Sequence, residues 1–338
     1  MLSTWARFFV VLGVVVVASL TSCETDFQIN AENQEVPIVY CVLNTSSNIQ
    51  YLKLNKTYLI DKAASENPPA QDSVYFDGNI QVVLEGWDNG KVTEVFIFTP
   101  TNEIPKDTGF FPNETNIIYK TEASIRPQSQ YSISIYLENK EKILYAETES
   151  LGALQVIDPL DIPERKISLN IGQNYTCRWK PVDNAGIYQV IINFYYMEYE
   201  GQDSTLEKVV WPQSFTSPLT NAESLTKEIS GSRFFNIMGD YIPIKEGVTR
   251  KTLGLDFLIL SGGQEIKFYI ESTAPSEGAL MEKPVYTNIT NGLGVFSTLS
   301  RAIIPMIPFG SVTIDSLAYS QLTQQLGFLD HNGLRLNQ

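Results

Sequence analysis

Apolar and polar residues alternate along most of the chain with a period of two. The clearest case is YSISIYLEN, where Tyr131, Ile133, Ile135 and Leu137 point one way and Ser132, Ser134, Tyr136 and Glu138 the other. Such a pattern predicts a strand with one buried and one wet face. Runs rich in β-branched and aromatic residues, stopped by Gly, Pro, Asn and Asp, predict further strands at 37–43, 49–54, 80–85, 94–98, 117–121 and 143–147. Asn89-Gly90 between two of them is a hairpin turn signal. This density of short strands predicts a β-sandwich over 36–153. Residues 56–77, polar with a Pro-Pro pair, read as a long loop with one helical turn at 61–65.

Prolines and Asp-centred turns in VIDPLDIPERK mark a linker at 154–166. A second sandwich is expected over 167–338. It opens with a strand holding Cys177 and Trp179, a PVDNAG turn and a strand at 187–199. That order of Trp, turn and Tyr resembles fibronectin type III and related immunoglobulin-like modules, in which the Trp packs between the sheets. In SRFFNIMGDYI, Phe234, Ile237, Met238 and Tyr241 have helical spacing behind Ser232 as N-cap, so a helical insertion is expected near 230–242. Residues 253–260, Gly262-Gly263 and 265–271 read as a hairpin. Tyr319, Leu322, Leu326 and Leu329 read as a helix after Asp315. The fold class expected is mainly β, two immunoglobulin/fibronectin III-like sandwiches, the second with a short helical insertion.

The start of the chain departs from this texture. Arg7 precedes an apolar run over 8–20 that is shorter than the roughly 20 residues a bilayer span needs. Residues 1–22 read as an export signal, and Leu20-Thr21-Ser22-Cys23 fits the bacterial lipobox. Cys23 would then carry the acyl chains that hold the protein to a membrane, with 23–35 as lipidated linker. Glu24 and Asp26 match either an acidic surface-export stretch or a plain acidic linker.

The chain carries 24 Lys and Arg against 38 Asp and Glu, and its formal net charge is −14. This balance repels nucleic-acid backbones and argues against nucleic acid as a partner. Cys41 and Cys177 sit in separate strand patterns and read as two buried thiols, with a disulfide as the alternative. With His331 as the only histidine, neither a Cys/His zinc site nor a His-based triad can be built, so no metal, cofactor or enzymatic activity is expected. GLGVFS at 292–297 lacks the final Gly and the helix of a nucleotide loop. Paired carboxylates for sugar hydrolysis are set by space, not sequence, and stay open.

Aromatics supply the remaining candidates. Along 187–199, Tyr188, Val190, Ile192, Phe194 and Tyr196 share one face, and Ile191, Tyr195, Met197 and Tyr199 the other. If the second face is wet, Tyr195 and Tyr199 form a stacking platform for a sugar or peptide. The plainer reading has it covered by residues 200–250. Trp87, beside the Asn-Gly turn, and Trp211 are candidate exposed anchors.

Four stretches carry a resemblance: YCVLNTSSNIQYLKLNKTYL; TLGLDFLILSGGQEIKFYI; PVYTNITNGLGVFSTLSR; and SLAYSQLTQQLGF. Together they resemble uncharacterised Bacteroidota envelope lipoproteins, with YTNI followed by NGLGVF as the most specific part. In that part the glycines are expected at turns of positive φ and Phe296 in the core. The resemblance implies an outer-membrane lipoprotein with immunoglobulin-like domains and no catalytic residue; both sides of that membrane remain open. Two functions are expected from it and from the residues. One is a non-enzymatic, lipid-anchored binding or assembly module, accessory to an outer-membrane uptake or surface system and partnered by other outer-membrane proteins. The alternative is a glycan-binding or glycan-hydrolysing surface lipoprotein.

Overall fold

The computed structural model describes residues 35–57, 74–76, 78–105, 116–137, 142–219, 221–274 and 285–335. The chain divides into two compact units, Met1–Glu35 and Val36–Gln338. The expected leader, Cys23 and its linker lie outside the described residues, as does the helical turn expected at 61–65.

The second unit is mainly β. Its strands are β1 (Pro37–Asn44), β2 (Ile49–Lys56), β3 (Ile80–Asp88), β4 (Lys91–Thr101), β5 (Ile118–Glu122), β6 (Gln130–Leu137), β7 (Lys142–Glu149), β8 (Val156–Asp158), β9 (Asn174–Trp179), β10 (Ala185–Glu200), β11 (Asp203–Pro212), β12 (Leu225–Ser230), β13 (Val248–Gly263) and β14 (Leu293–Ile307). Among the described residues three α-helices join them: α1 (Gly231–Tyr241), α2 (Gln264–Thr273) and α3 (Ser311–Tyr319). All seven strands expected before residue 150 form. Asn89 and Gly90 both take positive φ in the β3–β4 hairpin, as a tight turn between twisted strands requires.

One sheet of eleven strands runs β11-β10-β13-β14-β1-β2-β5-β4-β3-β6-β7, and a second runs β12-β9-β8. Two strands explain this length. Residues 91–98 of β4 pair with β3 and 99–101 with β5, with Pro100 at the crossing. β14 pairs in parallel with β1 from Leu293 to Leu299, then antiparallel with β13 from Leu299 to Ile307.

The interior forms two cores. One gathers inward residues of β1–β7, among them Val39, Leu84, Ile133 and Leu144. The other lies between β12-β9-β8 and β11-β10-β13-β14 and is covered by α1 and α3. Trp179 is fully buried there against Tyr188, with ring centroids 5.7 Å apart. The cores divide near residue 150, with two exceptions: Ile289 and Phe296 belong to the first. The expected linker at 154–166 is in part structure. Val156–Asp158 is an edge strand, and Asp158 accepts hydrogen bonds from Arg165 (2.5 Å) and Tyr175 (2.6 Å). Cys41 and Cys177 are free and buried, one in each core. Burial pushes the Cys177 thiol up to about 12 and raises Cys41 as well.

Residues 288–298 close the first core. β7 is the last strand of its sheet, and its outward carbonyls need partners. Ile143 O accepts from Asn291 Nδ2 at 2.9 Å, Tyr145 O from Thr290 N at 2.8 Å, Glu147 O from Asn288 Nδ2 at 3.4 Å and Glu149 O from Thr298 Oγ1 at 2.9 Å. The Asn288 amide also binds both backbone groups of Phe296, at 2.7 and 2.9 Å. Positive φ falls on Asn291 and Gly294, not on Gly292. A Cβ on Gly294 would lie 1.9 Å from Val39 O, so β1 and β14 can hold this register only with glycine there.

The helical insertion expected near 230–242 forms as α1, with a different cap and buried face, and two other expected elements differ. α1 is capped by Ser230, whose Oγ accepts from Arg233 N, and it buries Phe234, Phe235 and Met238 while Tyr241 is 72% exposed. Residues 265–271 are helical (α2), because β13 already has β10 and β14 on its two edges and a returning strand finds no partner. The last α-helix is α3, earlier than expected, and the expected stretch keeps only a 3-10 turn at Gln324–Leu326. Residues 327–329 instead run beside Arg250 in a backbone bridge, which places Leu326 and Phe328 in the core.

Arg250 is fully buried. Its Nε and Nη2 donate to Glu198 Oε2 at 2.9 and 2.7 Å, Nη2 also to Pro243 O at 2.9 Å, and Nη1 to Leu326 O. Removing one partner of such a pair strands a charge, so Arg250→Met should cost about 3–5 kcal/mol in urea unfolding, with much of it recovered when Glu198→Leu is added. Gly294→Ala should cost about 4 kcal/mol from strain and overlap, against about 1 kcal/mol for Gly90→Ala, where positive φ is kept but space is open.

Candidate functional site

Registry places an unusual set of side chains on the outer face of β4-β3-β6-β7. Directly opposite residues in an antiparallel pair share a face. One row is therefore Trp87, Gln130, Glu149; the next is Val95, Glu85, Ser132, Glu147; then Ile97, Val83, Ser134, Tyr145; then Gln81, Tyr136, Ile143. The alternate residues Leu84, Ile133 and Ala146 fill the core beneath.

Ser132 was expected on the wet side, yet it is buried. Trp87 lies over it and donates from Nε1 to its Oγ at 2.9 Å, and that hydroxyl donates in turn to Glu85 Oε2 at 3.4 Å. The Tyr145 hydroxyl donates to Glu147 Oε1, and Gln130 Nε2 donates to Glu147 Oε2 at 3.1 Å. Burial first, then the Glu147 carboxylate, raises the Tyr145 phenol above the usual tyrosine range. Beside this network is an open cleft of about 380 Å³ lined by Gln130, Glu147, Thr148 and Glu149. The result is an aromatic and carboxylate surface whose side chains are held by one another on a rigid sheet.

Of the sequence candidates, Trp87 belongs to this surface, half-buried rather than freely exposed. Tyr195 and Tyr199 lie on the outer face of β10, in the part of the eleven-stranded sheet that covers the second core. Tyr199 is 38% exposed, and the half-buried Tyr195 hydroxyl meets Asp256, which raises its pKa after burial does. The segment expected to cover them does not: β11 lies beside β10 in the same sheet, leaving Leu206 and Val210 exposed along that face. Trp211 is corrected. It is 5% exposed, faces inward opposite Ile192 and packs against Phe234, so strand alternation makes it a core residue. Cys23 lies outside the described residues.

Sequence reading missed Ser132, Tyr145, Glu147 and Gln130 as a group. The alternation of ILYAETE held the signal that Tyr145 and Glu147 share the wet face, but only strand order brings them to Trp87.

Near the C-terminus, Asp315, Asp330 and His331 come within 4.8 Å. Their polar atoms are already engaged. Asp330 accepts from Tyr319 at 2.6 Å and from Asn332 N and Leu334 N, and Asp315 takes the His331 backbone and ring. The cluster fixes the last turn and is no open site. Among the described residues, no helix is long and apolar enough to cross a membrane.

The Tyr145–Glu147 contact has a direct readout. In a ¹³Cζ-tyrosine NMR titration, Tyr145 should ionise above the ordinary tyrosine range, and Glu147→Gln should bring it part of the way back; an unchanged midpoint would show the carboxylate has no part in it. No protein-family model matches the chain, and no curated protein matches it.

Proposed function

We propose that the protein is a non-enzymatic binding or assembly module, lipid-anchored through Cys23 to a bacterial outer membrane and accessory to an uptake or surface system there. The observation that carries this is the preformed surface of Trp87, Tyr145 and Glu147 beside an open cleft, set on a sheet whose other side is core. Ligand sites of this kind combine aromatic area with a few oriented polar groups. The lipobox order Leu20-Thr21-Ser22-Cys23 supports the anchor.

Strand order supports an immunoglobulin/fibronectin III-like reading of both halves. In sequence order β8–β14 give sheets β8-β9-β12 and β11-β10-β13-β14, which correspond to A-B-E and C′-C-F-G. β1–β7 repeat this, as β1-β2-β5 and β4-β3-β6-β7, with β4 shared between the two.

A second reading, glycan binding or hydrolysis, is favoured by one feature: Trp87, Tyr136 and Tyr145 share the face that adjoins the cleft. Glu147 and Glu149 are two residues apart on one strand and share that face, so two carboxylates adjoin the cleft.

Affinity purification of the tagged, membrane-anchored protein, followed by mass spectrometry, separates these. A stoichiometric outer-membrane partner is expected, lost in Cys23→Ala and in a Trp87→Ala/Tyr145→Ala variant that keeps the anchor. A clean monomer in all forms would remove the assembly reading. Glycan-array binding that depends on Trp87 would replace it with the second.

A further inference from the structure

The cleft beside Trp87 is rich in acceptors. Glu147 and Glu149 can only accept when ionised, and Gln130 turns its amide nitrogen toward Glu147, which leaves Oε1 available.

The charge is equally one-sided. Glu85, Glu147 and Glu149 stand in two adjacent rows, and among the described residues none of them has an ion-pair partner, although Glu94, Glu103, Glu198 and Glu271 do. The outward positions of β3, β6 and β7 carry no Lys or Arg at all. Trp87 flanks the same row, and an indole face attracts cations. The rest of the face changes character: Val95 ends the Glu85 row on β4, Ile97, Tyr136 and Ile143 stand in the next two rows, and all four are exposed. The face thus offers an anionic, aromatic pocket next to an apolar strip.

We infer that this face binds a polypeptide segment of a partner protein through a Lys or Arg side chain, whose ammonium or guanidinium group enters the cleft between Trp87 and the Glu147–Glu149 carboxylates while adjoining apolar residues lie on Val95, Ile97 and Ile143. This deepens the binding-module reading and rests on it. Ammonium and guanidinium groups supply donors where the cleft supplies acceptors, and bring the charge that the three carboxylates lack. The apolar strip suits the flanking chain of a polypeptide rather than a free amine.

The test uses lipid-free protein spanning residues 24–338 and an acetyl-Leu-Lys-Leu-Lys-amide peptide, followed by calorimetry and by Trp fluorescence. Trp179 and Trp211 are buried, so a change in emission reports chiefly on Trp87. Binding should weaken at least tenfold in Glu147→Gln/Glu149→Gln and in Trp87→Leu, and it should fall as salt rises. It should persist in Glu223→Gln/Glu246→Gln, which removes the same charge from exposed positions elsewhere. Nε-acetylation of both lysines should abolish it, and maltotriose should not bind. Equal weakening in the two Glu pairs would reduce the effect to the general acidity of the chain and overturn the inference. So would equal binding of the acetylated peptide, absence of peptide binding, or Trp87-dependent binding of maltotriose. If the peptide fails while a Trp87-dependent membrane partner is still captured, the ligand class is wrong and the binding-module reading stands.

Discussion

One strand holds the folded unit together. β14 donates its first half to β1 and its second half to β13, so the two cores share a continuous backbone ladder rather than a flexible joint. That sharing depends on Gly294, the position where the β14 backbone meets Val39 O too closely for any side chain. The residues just before it complete the joint. Asn288 uses its amide as a substitute backbone, binding Phe296 on one side and Glu147 O on the other. An amide that pairs with both backbone groups of one residue acts like one residue of a neighbouring strand. The exposed edge of β7, which would otherwise invite pairing with another chain, is covered by the protein's own carbonyl partners.

The consequence for function is rigidity. Ser132, Tyr145 and Glu147 sit on β6 and β7, strands whose far edge is fixed by 288–298, and Trp87 is fixed in turn by its bond to Ser132. A surface held this way loses little entropy when a ligand arrives. The second core has its own lock. Arg250 ties the strand β10, the loop after α1 and the C-terminal turn through Glu198, Pro243 O and Leu326 O, and its guanidinium lies 5.9 Å from the Tyr196 ring centroid. Buried ion pairs are weak evidence of added stability, but this one specifies where three segments meet.

Much of this was legible in the chain. Strands with one wet face announced themselves by period, and so did the core role of Trp179 and the turn at Asn89-Gly90. What failed had a common cause. Residues 265–271 alternate like a strand, yet both edges of β13 were taken. Tyr319, Leu322, Leu326 and Leu329 have helical spacing, yet only the end of α3 and a 3-10 turn at Gln324–Leu326 form, and from Gly327 on a backbone bridge to Arg250 draws the chain into extended form. Trp211 has the chemistry of an exposed anchor, yet its parity on β11 sends it inward. Period fixes which residues share a face; it does not say which face finds a neighbour.

The sequence by itself determined the alternation of the strands, their turns, the acidic balance and the glycine and asparagine that let residues 288–298 close the first core, because each depends on local sterics or on simple composition. Tertiary structure alone decided that Trp87, Ser132, Tyr145 and Glu147 form one surface. They are spread over three strands, and their meeting depends on the order β3-β6-β7, which is set by long-range pairing and by the closure of an edge with residues 141 to 149 positions further on.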